Sequence, residues 1–523
     1  MHNLPEQFVN RIKSQLGDEA DDFLKSYDEP YVRALRINKS KNPNEILFDK
    51  YTNEKNDHQM GENHSIEGSA SDKQKSNLHI CRVEWENRGI YYDEKILEKP
   101  GKSPFHAAGA YYVQEASAMY PVARMFGFCK DDANNEFKNN ILNKGCKILD
   151  LCAAPGGKTT QIADYMAGRG TLIANEIVPS RAKILSENIE RMGVTNALVV
   201  SEEPHKLADR FPKYFDMILV DAPCSGEGMF RKHPEAADEW SEENVRICAD
   251  RQDYILDCAA KMLASGGKIT YSTCTFSKEE DEGSVERFLS RHPEFIQYNE
   301  SHRIFPHKDM GEGHYCAEFI YADGYKDSTG IPDDSIALKD NTEMTELQSG
   351  FSKDKKSQRK KKNTLNVDNA LTISKDKEAL VSDFLKDTLT KEGNNYLNNV
   401  IADGDFHNRV ISFGDNIYLA PKDMPSIKGL KVLRPGLQLG TVKNNRFEPA
   451  HALALALKQE HVKLVADVSY DEACAYIKGM TINSSDTIKG WSLVCIRGLS
   501  LGWGKASGSI IKNHYPKGLR VME

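Results

Sequence analysis

Five segments between about residue 100 and residue 325 read as strands of near-continuous apolar residues, and helical stretches lie between them. They are KILDLC, GTLIANE, NALVVSE, FDMILVDAP and GKITYSTCT. Runs of Ile, Leu and Val without polar interruption suit strands that are covered on both faces. Strand and helix in alternation predict a doubly wound α/β domain built on a mostly parallel sheet. In such a sheet, ligands bind in the crevice beyond the carboxyl ends of the strands. The residues that close each strand are therefore the first place to look for chemistry.

The rest of the chain is organised around that domain. At 523 residues it is too long for one hydrophobic core. Residues 1–99 read as an N-terminal RNA-binding module. LPEQFVNRIKSQLG puts Phe8, Ile12 and Leu16 at helical spacing, and YVRALRINKS then alternates like a strand. Residues 50–79 are polar and of low complexity, a flexible insertion, and apolar content returns at ICRVEW. The domain proper is expected over 100–325. A polar linker is expected over 326–375, with a basic run at 353–362, and two ordered modules over 376–460 and 461–523.

Several classes are excluded. No run of about 18 apolar residues occurs, so no membrane span is expected. The segment Met1 to Gln15 has no apolar signal core and predicts a cytoplasmic protein. Eleven cysteines without a CxxC pair suggest neither a disulfide framework nor a metal site. The net charge of −8 argues against attraction of the whole protein to nucleic acid, but leaves room for a local basic patch.

The segment ILDLCAAPGGKTTQIA is a strand, a Gly-rich turn and a helix. Gly156 and Gly157 remove side chains where backbone must approach a ligand closely. The spacings GxxxxGK[ST] and GxGxxG are both absent, so the turn is not a phosphate cradle. About twenty residues on, Glu176 closes the next strand, where an acid in this kind of fold binds ribose hydroxyls. The third strand closes in Ser201-Glu202-Glu203, and a carboxylate there, Glu202 by preference, can accept from an adenine amino group. Taken alone, the glycines also fit a plain helix entry and Glu176 a solvated strand end. The next two motifs decide against that.

FDMILVDAPCSGEG ends a strand at Asp221-Ala-Pro-Cys224, and GKITYSTCTFSKEE ends another at Ser272-Thr-Cys274-Thr275. Both cysteines project toward the crevice that holds the Gly-rich turn. A thiolate adding to carbon-6 of cytosine turns the ring into an enamine, whose carbon-5 can then attack a methyl donor. A carboxylate such as Asp221 pairs naturally with the cytosine amino group. A second thiol can assist release once the methyl is in place. An ordinary thiol titrates near ~8.5, so the nucleophile needs local activation, for which Lys158 and helix N-termini are candidates.

Together, DLCAAPGGKT, VDAPCSGEG and YSTCT resemble the Sun-type RNA 5-methylcytosine methyltransferases, and YYVQEASAMYPV is similar to the segment that family packs beside its cofactor. The resemblance implies a class I methyltransferase domain using S-adenosylmethionine. It makes Cys274 the nucleophile, Cys224 the residue that promotes product release, and Asp221 and Lys158 their partners. The implied cofactor set is Cys152, Ala153, Ala154, Pro155, Gly156, Gly157, Lys158, Glu176, Arg181, Glu202 and Asp221. Further on, GLKVLRPGLQLGTVKNNRFEPAHALALAL and LGWGKASGSIIKNHYPKGLR resemble the RsmF branch of the family, which modifies 16S rRNA and carries a PUA-like RNA-binding module at its end. A monomer acting on 16S rRNA in the 30S subunit is the implied reading. Its rivals are the same chemistry on tRNA and a catalytically silent cofactor-binding assembly factor. The chain departs from some relatives in having Ser201-Glu-Glu203 where they carry an Asp-Gly pair.

From Lys489 on, Lys505, Lys512 and Lys517 are interleaved with Trp491, Trp503 and Tyr515. Charge for the backbone and flat faces for unstacked bases are what RNA needs. The three lysines are expected to face RNA, and Trp491 to lie in the core. Arg231 and Lys232, after the first cysteine motif, are further candidates for phosphate contacts, and His314 for a wall of the site.

Overall fold

In a computed structural model the described residues are 4–41, 80–95, 97–128, 145–322 and 372–521. The insertion expected at 50–79, the basic run at 353–362 and the expected linker up to residue 371 lie outside them.

The N-terminal module opens with helices Glu6–Leu16 and Ala20–Ser26, which bury Phe8, Ile12 and Phe23. Strands β1 (Ala34–Ile37), β2 (Ile80–Val83), β3 (Glu86–Tyr92) and β4 (Tyr111–Val113) follow and form an antiparallel sheet in the order β2-β3-β1-β4.

The central sheet contains β5 (Lys147–Asp150), β6 (Thr171–Asn175), β7 (Ala197–Val200), β8 (Phe215–Asp221) and β9 (Leu263–Thr273). These five are parallel and ordered β9-β8-β5-β6-β7. Successive side chains on a strand point to opposite faces, and both faces are used here. Leu149, Ile173, Leu198 and Ile218 enter one core, while Ile148, Leu172, Val199 and Met217 enter the other. Helices such as Gly157–Met166 and Glu242–Met262 supply the cover. That double burial is why the sequence shows runs. The strand order reverses between β5 and β8, which places the ligand crevice above their carboxyl ends. Strands β10 (Phe295–Gln297), β11 (His302–Ile304) and β12 (His314–Tyr321) extend the sheet antiparallel beyond β9.

The carboxyl-terminal part is more closely joined to this domain than its sequence suggests. After helix Lys375–Thr388 come β13 (Val410–Phe413), β14 (Asn416–Leu419), β15 (Val432–Arg434), β16 (Leu437–Lys443) and β17 (Arg446–Pro449). Strands β13, β14, β16 and β17 make their own sheet, but β15 leaves it and pairs antiparallel with β7, at the edge of the central sheet. The last module contains β18 (Val465–Asp467) and a long hairpin of β19 (Ile482–Ile496) and β20 (Leu499–Asn513). Its Ile482, Val494 and Leu501 share a core with Leu35, Ile37 and Tyr111 of the N-terminal module. The Lys41 amine donates to the Leu455 carbonyl at 2.6 Å and ties the N-terminal module to helix His451–Ala456, just before the last module.

Candidate active site

Strands β8 and β9 run side by side with Asp221 opposite Ser272, and the Ala222 N–H donates to the Ser272 carbonyl at 2.9 Å. The two loops that carry the cysteines therefore start level. This register brings the Cys224 and Cys274 sulfurs to 3.2 Å, both as free thiols, and the Cys274 N–H points at the Cys224 sulfur from 3.3 Å. Gly228 lies against the second loop: its N–H donates to the Cys274 carbonyl at 2.8 Å, and a Cβ there would sit 3.0 Å from that oxygen.

Asp221 is held by three elements. Lys158, in the first turn of helix Gly157–Met166, donates to its Oδ2 at 2.8 Å. The Ser272 hydroxyl donates to Oδ1 at 2.8 Å, and His314 Nε2, from the start of β12, lies 3.5 Å from the same oxygen. Burial alone would raise the Asp221 carboxyl, but Lys158 and His314 outweigh it and hold it well below the usual carboxylate range. Burial likewise opposes the charge on Lys158, and Asp221 overcomes it and pushes the ammonium up. His314 is pushed down by burial and by Lys158. At neutral pH the site thus holds a carboxylate, an ammonium and a neutral imidazole. The Cys224 thiol is pushed well up, first by its hydrogen bond to Cys274 and then by burial.

The Gly-rich turn lies beside this cluster. Gly156 has φ 111°, a left-handed conformation that favours glycine, and a Cβ on it would come within 3.1 Å of Leu185. The Ala153 N–H donates to the Asn175 carbonyl at 2.8 Å, fixing the turn against the end of β6. Arg181 donates to the Ala154 carbonyl at 3.0 Å and lies 3.5 Å from Glu176, whose other oxygen accepts from the Val178 N–H at 2.9 Å. Cys152, Pro155 and Gly157 lie on the same turn. One Glu202 oxygen accepts from the Lys431 N–H at 2.6 Å, so this carboxylate is tied to the segment leading into β15. Its second oxygen is buried without a hydrogen-bond partner among the described residues, as is Oδ1 of Asp150.

Two expectations need correction. Arg231 does not face solvent for RNA: it is 7% exposed, its Nε and Nη2 each lie 2.7 Å from Glu312, and Nη1 donates to the Ser26 carbonyl at 3.0 Å. A guanidinium committed to a buried bidentate pair has no free edge for a phosphate. Trp503 and Tyr515 do not offer flat faces either. Trp503 is 1% exposed and donates to the Ala450 carbonyl at 2.9 Å, and Tyr515 is buried against Tyr476 and His451. Trp491 is half-buried at the edge of the core, with the Lys505 ammonium 5.0 Å over its ring. Lys232, Lys505, Lys512 and Lys517 are exposed.

Sequence reasoning passed over four buried groups. Asp150, under the turn, accepts from the Thr159 hydroxyl at 2.6 Å and is pushed up to about 7 by burial. Glu227 accepts from the Phe276 N–H at 3.0 Å and from Trp240 at 2.9 Å, and pairs with Arg11. Glu280, pushed up to about 7 by burial, accepts from the Ser225 N–H and from Gln252, each at 2.9 Å, and from the Ser225 hydroxyl. Gln252 also reaches the Pro223 carbonyl at 3.1 Å. No sequence motif marks Gln252, and Glu280 sits in a charged run that reads as solvated.

Among known families, the model described as 16S rRNA methyltransferase RsmB/F matches residues 141–320. Three more match around it: the N-terminal domain of 16S rRNA methyltransferase RsmF over 4–60, the first C-terminal domain of RsmF rRNA methyltransferase over 384–457, and the RsmF PUA domain over 463–521. Proteins named ribosomal RNA small subunit methyltransferase F from Shewanella piezotolerans and Vibrio vulnificus are 27% and 28% identical to the chain. Each alignment covers 99% of this chain, and 98% and 97% of the relative. Two solved structures from Pyrococcus horikoshii, a methyltransferase homolog protein and NSun6 with SFG, are 21% identical, with TM-scores of 0.46 and 0.47. They align with 61% and 62% of this chain, and with 95% and 100% of their own.

Proposed function

The chain belongs to the RsmB/F methyltransferases, and from that premise we propose that it transfers a methyl group from S-adenosylmethionine to carbon-5 of a cytosine in 16S rRNA of the small ribosomal subunit. One observation carries the chemistry: two thiol sulfurs 3.2 Å apart at the ends of adjacent strands, beside an ionised carboxylate.

S-adenosylmethionine supplies an electrophilic methyl group. The residues at the crevice fit it. The turn from Cys152 to Lys158, with Gly156 bare, allows close backbone approach. Glu176 and Arg181 flank the turn where a ribose would lie. The second Glu202 oxygen, on the next strand end, is a buried acceptor without a hydrogen bond, with the Lys206 ammonium 3.9 Å away.

Cys274 adds through its sulfur to carbon-6 of the cytosine. Cys224, whose thiol is pushed up, keeps its proton and can donate a hydrogen bond to the Cys274 sulfur 3.2 Å away. Lys158 adds positive charge nearby. Asp221, kept ionised, accepts from the exocyclic amino group and holds the base by its edge. After transfer, carbon-5 carries both a methyl and a hydrogen. Loss of that proton restores the ring double bond as the carbon–sulfur bond breaks and its electron pair returns to Cys274. Cys224, next to the breaking bond, serves this second half: it takes the carbon-5 proton as its own proton passes to the departing Cys274 sulfur 3.2 Å away. The base must leave its stack to reach either sulfur.

The test offers radiolabelled S-adenosylmethionine with 30S subunits, naked 16S rRNA or tRNA, followed by bisulfite mapping. Label in 16S rRNA cytosine is the expected result. Label in tRNA alone would move the substrate, and RNA binding without transfer would make the protein an assembly factor. Cys274→Ala is expected to abolish both transfer and covalent complex. Cys224→Ala is expected to accumulate a protein–RNA adduct that survives denaturing gels and requires cofactor. An adduct in Cys274→Ala alone would reverse the two roles.

A further inference from the structure

The two cysteine loops are laced together by a reciprocal pair of buried carboxylates. Glu227 belongs to the Cys224 loop, and its Oε2 reaches across to the Phe276 N–H of the Cys274 loop at 3.0 Å. Glu280 follows the Cys274 loop and reaches back to the Ser225 N–H at 2.9 Å and to the Ser225 hydroxyl. Both are 0% exposed. Ser225 and Thr275 hydroxyls meet at 2.8 Å between them. Behind Glu227 stands the N-terminal module. Arg11 pairs with its carboxylate, the Tyr27 hydroxyl donates to its carbonyl at 3.1 Å, and Gln15 donates to the Phe276 carbonyl at 3.0 Å.

Buried carboxylates are costly unless fully hydrogen-bonded, and neither of these touches the space above the sulfurs through any of these bonds. Their partners are the backbone neighbours of the two cysteines. We propose that Glu227 and Glu280 are positioning residues that hold the Cys224 and Cys274 loops in register, with Arg11 anchoring Glu227 from the N-terminal helix. The half-reaction that needs both sulfurs at one base is release, so release is the step this lacing governs. The inference rests on the reading of the two cysteines given above.

The hydrogen bonds also say what kind of substitution matters. One Glu280 oxygen takes both the Ser225 N–H and Gln252, while the other meets the Ser225 hydroxyl, which can turn to donate or accept. A glutamine can reproduce that pattern, with its oxygen toward the two N–H groups and its amide toward the hydroxyl. An alanine cannot. Positioning therefore predicts that Glu280→Gln works and Glu280→Ala does not, whereas a proton-transfer role would lose both.

The experiment uses the full chain and two independent readouts. Hydrogen exchange follows the Ser225 and Phe276 amides without any substrate. First-turnover methyl transfer, steady-state turnover and adduct fraction are then measured on 16S rRNA. In Glu280→Ala and Glu227→Ala, the Ser225 and Phe276 amides respectively are expected to exchange at least tenfold faster. Steady-state turnover should fall tenfold or more with adduct persisting, while the cofactor Kd stays within twofold. Glu280→Gln should match the wild type in all of these. Unchanged exchange in the alanine variants, or equal damage in Glu280→Gln and Glu280→Ala, would overturn the proposal. If Glu280→Ala does not fold, Ser225→Ala removes only the hydroxyl tie and should slow release two- to fivefold; no change there also overturns it. A wild-type protein that methylates no RNA cytosine would sink the functional reading instead, and the exchange measurements would still decide whether the lacing exists.

Discussion

Asp221 and Lys158 keep each other charged in a place where burial opposes both. Removing the carboxylate leaves an ammonium without its partner, which is worse than lacking the pair altogether. Asp221→Asn is therefore expected to lower single-turnover methyl transfer at least a hundredfold and to bring Lys158 down toward neutrality, read by pH-dependent amine labelling. The stability consequence has a definite sign. The folded Asp221 lies below its unfolded value near ~3.9, so its contribution is complete above that pH and is lost as pH falls through the folded value. Urea unfolding at pH 6 and pH 2 should show a smaller acid loss in Asp221→Asn than in the wild type; an equal loss would mean that the pair does not form.

Elements explain what could and could not be foreseen. The five central strands were legible because double burial writes itself as apolar runs, and the cysteines because they close two of those strands. Glu280 was not legible: in SKEEDE, Glu279 is exposed while Glu280 and Asp281 are buried, and charge spacing alone does not tell them apart. Arg231 was misread for the same reason, since its partner Glu312 lies far along the chain and a free cation looks identical in sequence. The correction has a measurable form. Arg231→Met leaves Glu312 buried and unpaired, a loss of about 3–5 kcal/mol in denaturant unfolding, without change in the salt dependence of RNA binding. Replacing Lys505, Lys512 and Lys517 together by alanine should do the opposite: stability stays, and the salt slope falls by up to about three. A triple variant with an unchanged slope would remove the β20 hairpin from the RNA face.

At the scale of the whole molecule, the modules do not separate where the sequence thins. The last module covers Leu35, Ile37 and Tyr111 at the other end of the chain, and the preceding one gives β15 to the central sheet. A chain ending at 460 would uncover the first contact, at roughly 1.5–3 kcal/mol for each large apolar side chain exposed. It is expected to melt at least 10 °C lower and to bind S-adenosylmethionine less tightly. Unchanged melting would show that the shared core contributes little. Alanine at the three surface lysines is for this reason the cleaner test of RNA engagement.

The strand β15 also sets an order of events during synthesis. Lys431, at its threshold, and Glu202, at the end of β7, are 229 positions apart in the chain. At ribosomal speeds that separation is on the order of ten to fifty seconds. Through that interval the edge of β7 is an unpaired row of N–H and C=O groups, the kind of template that recruits stray strands. The nascent protein is thus most vulnerable to aggregation when its catalytic residues have already emerged and its own closing strand has not.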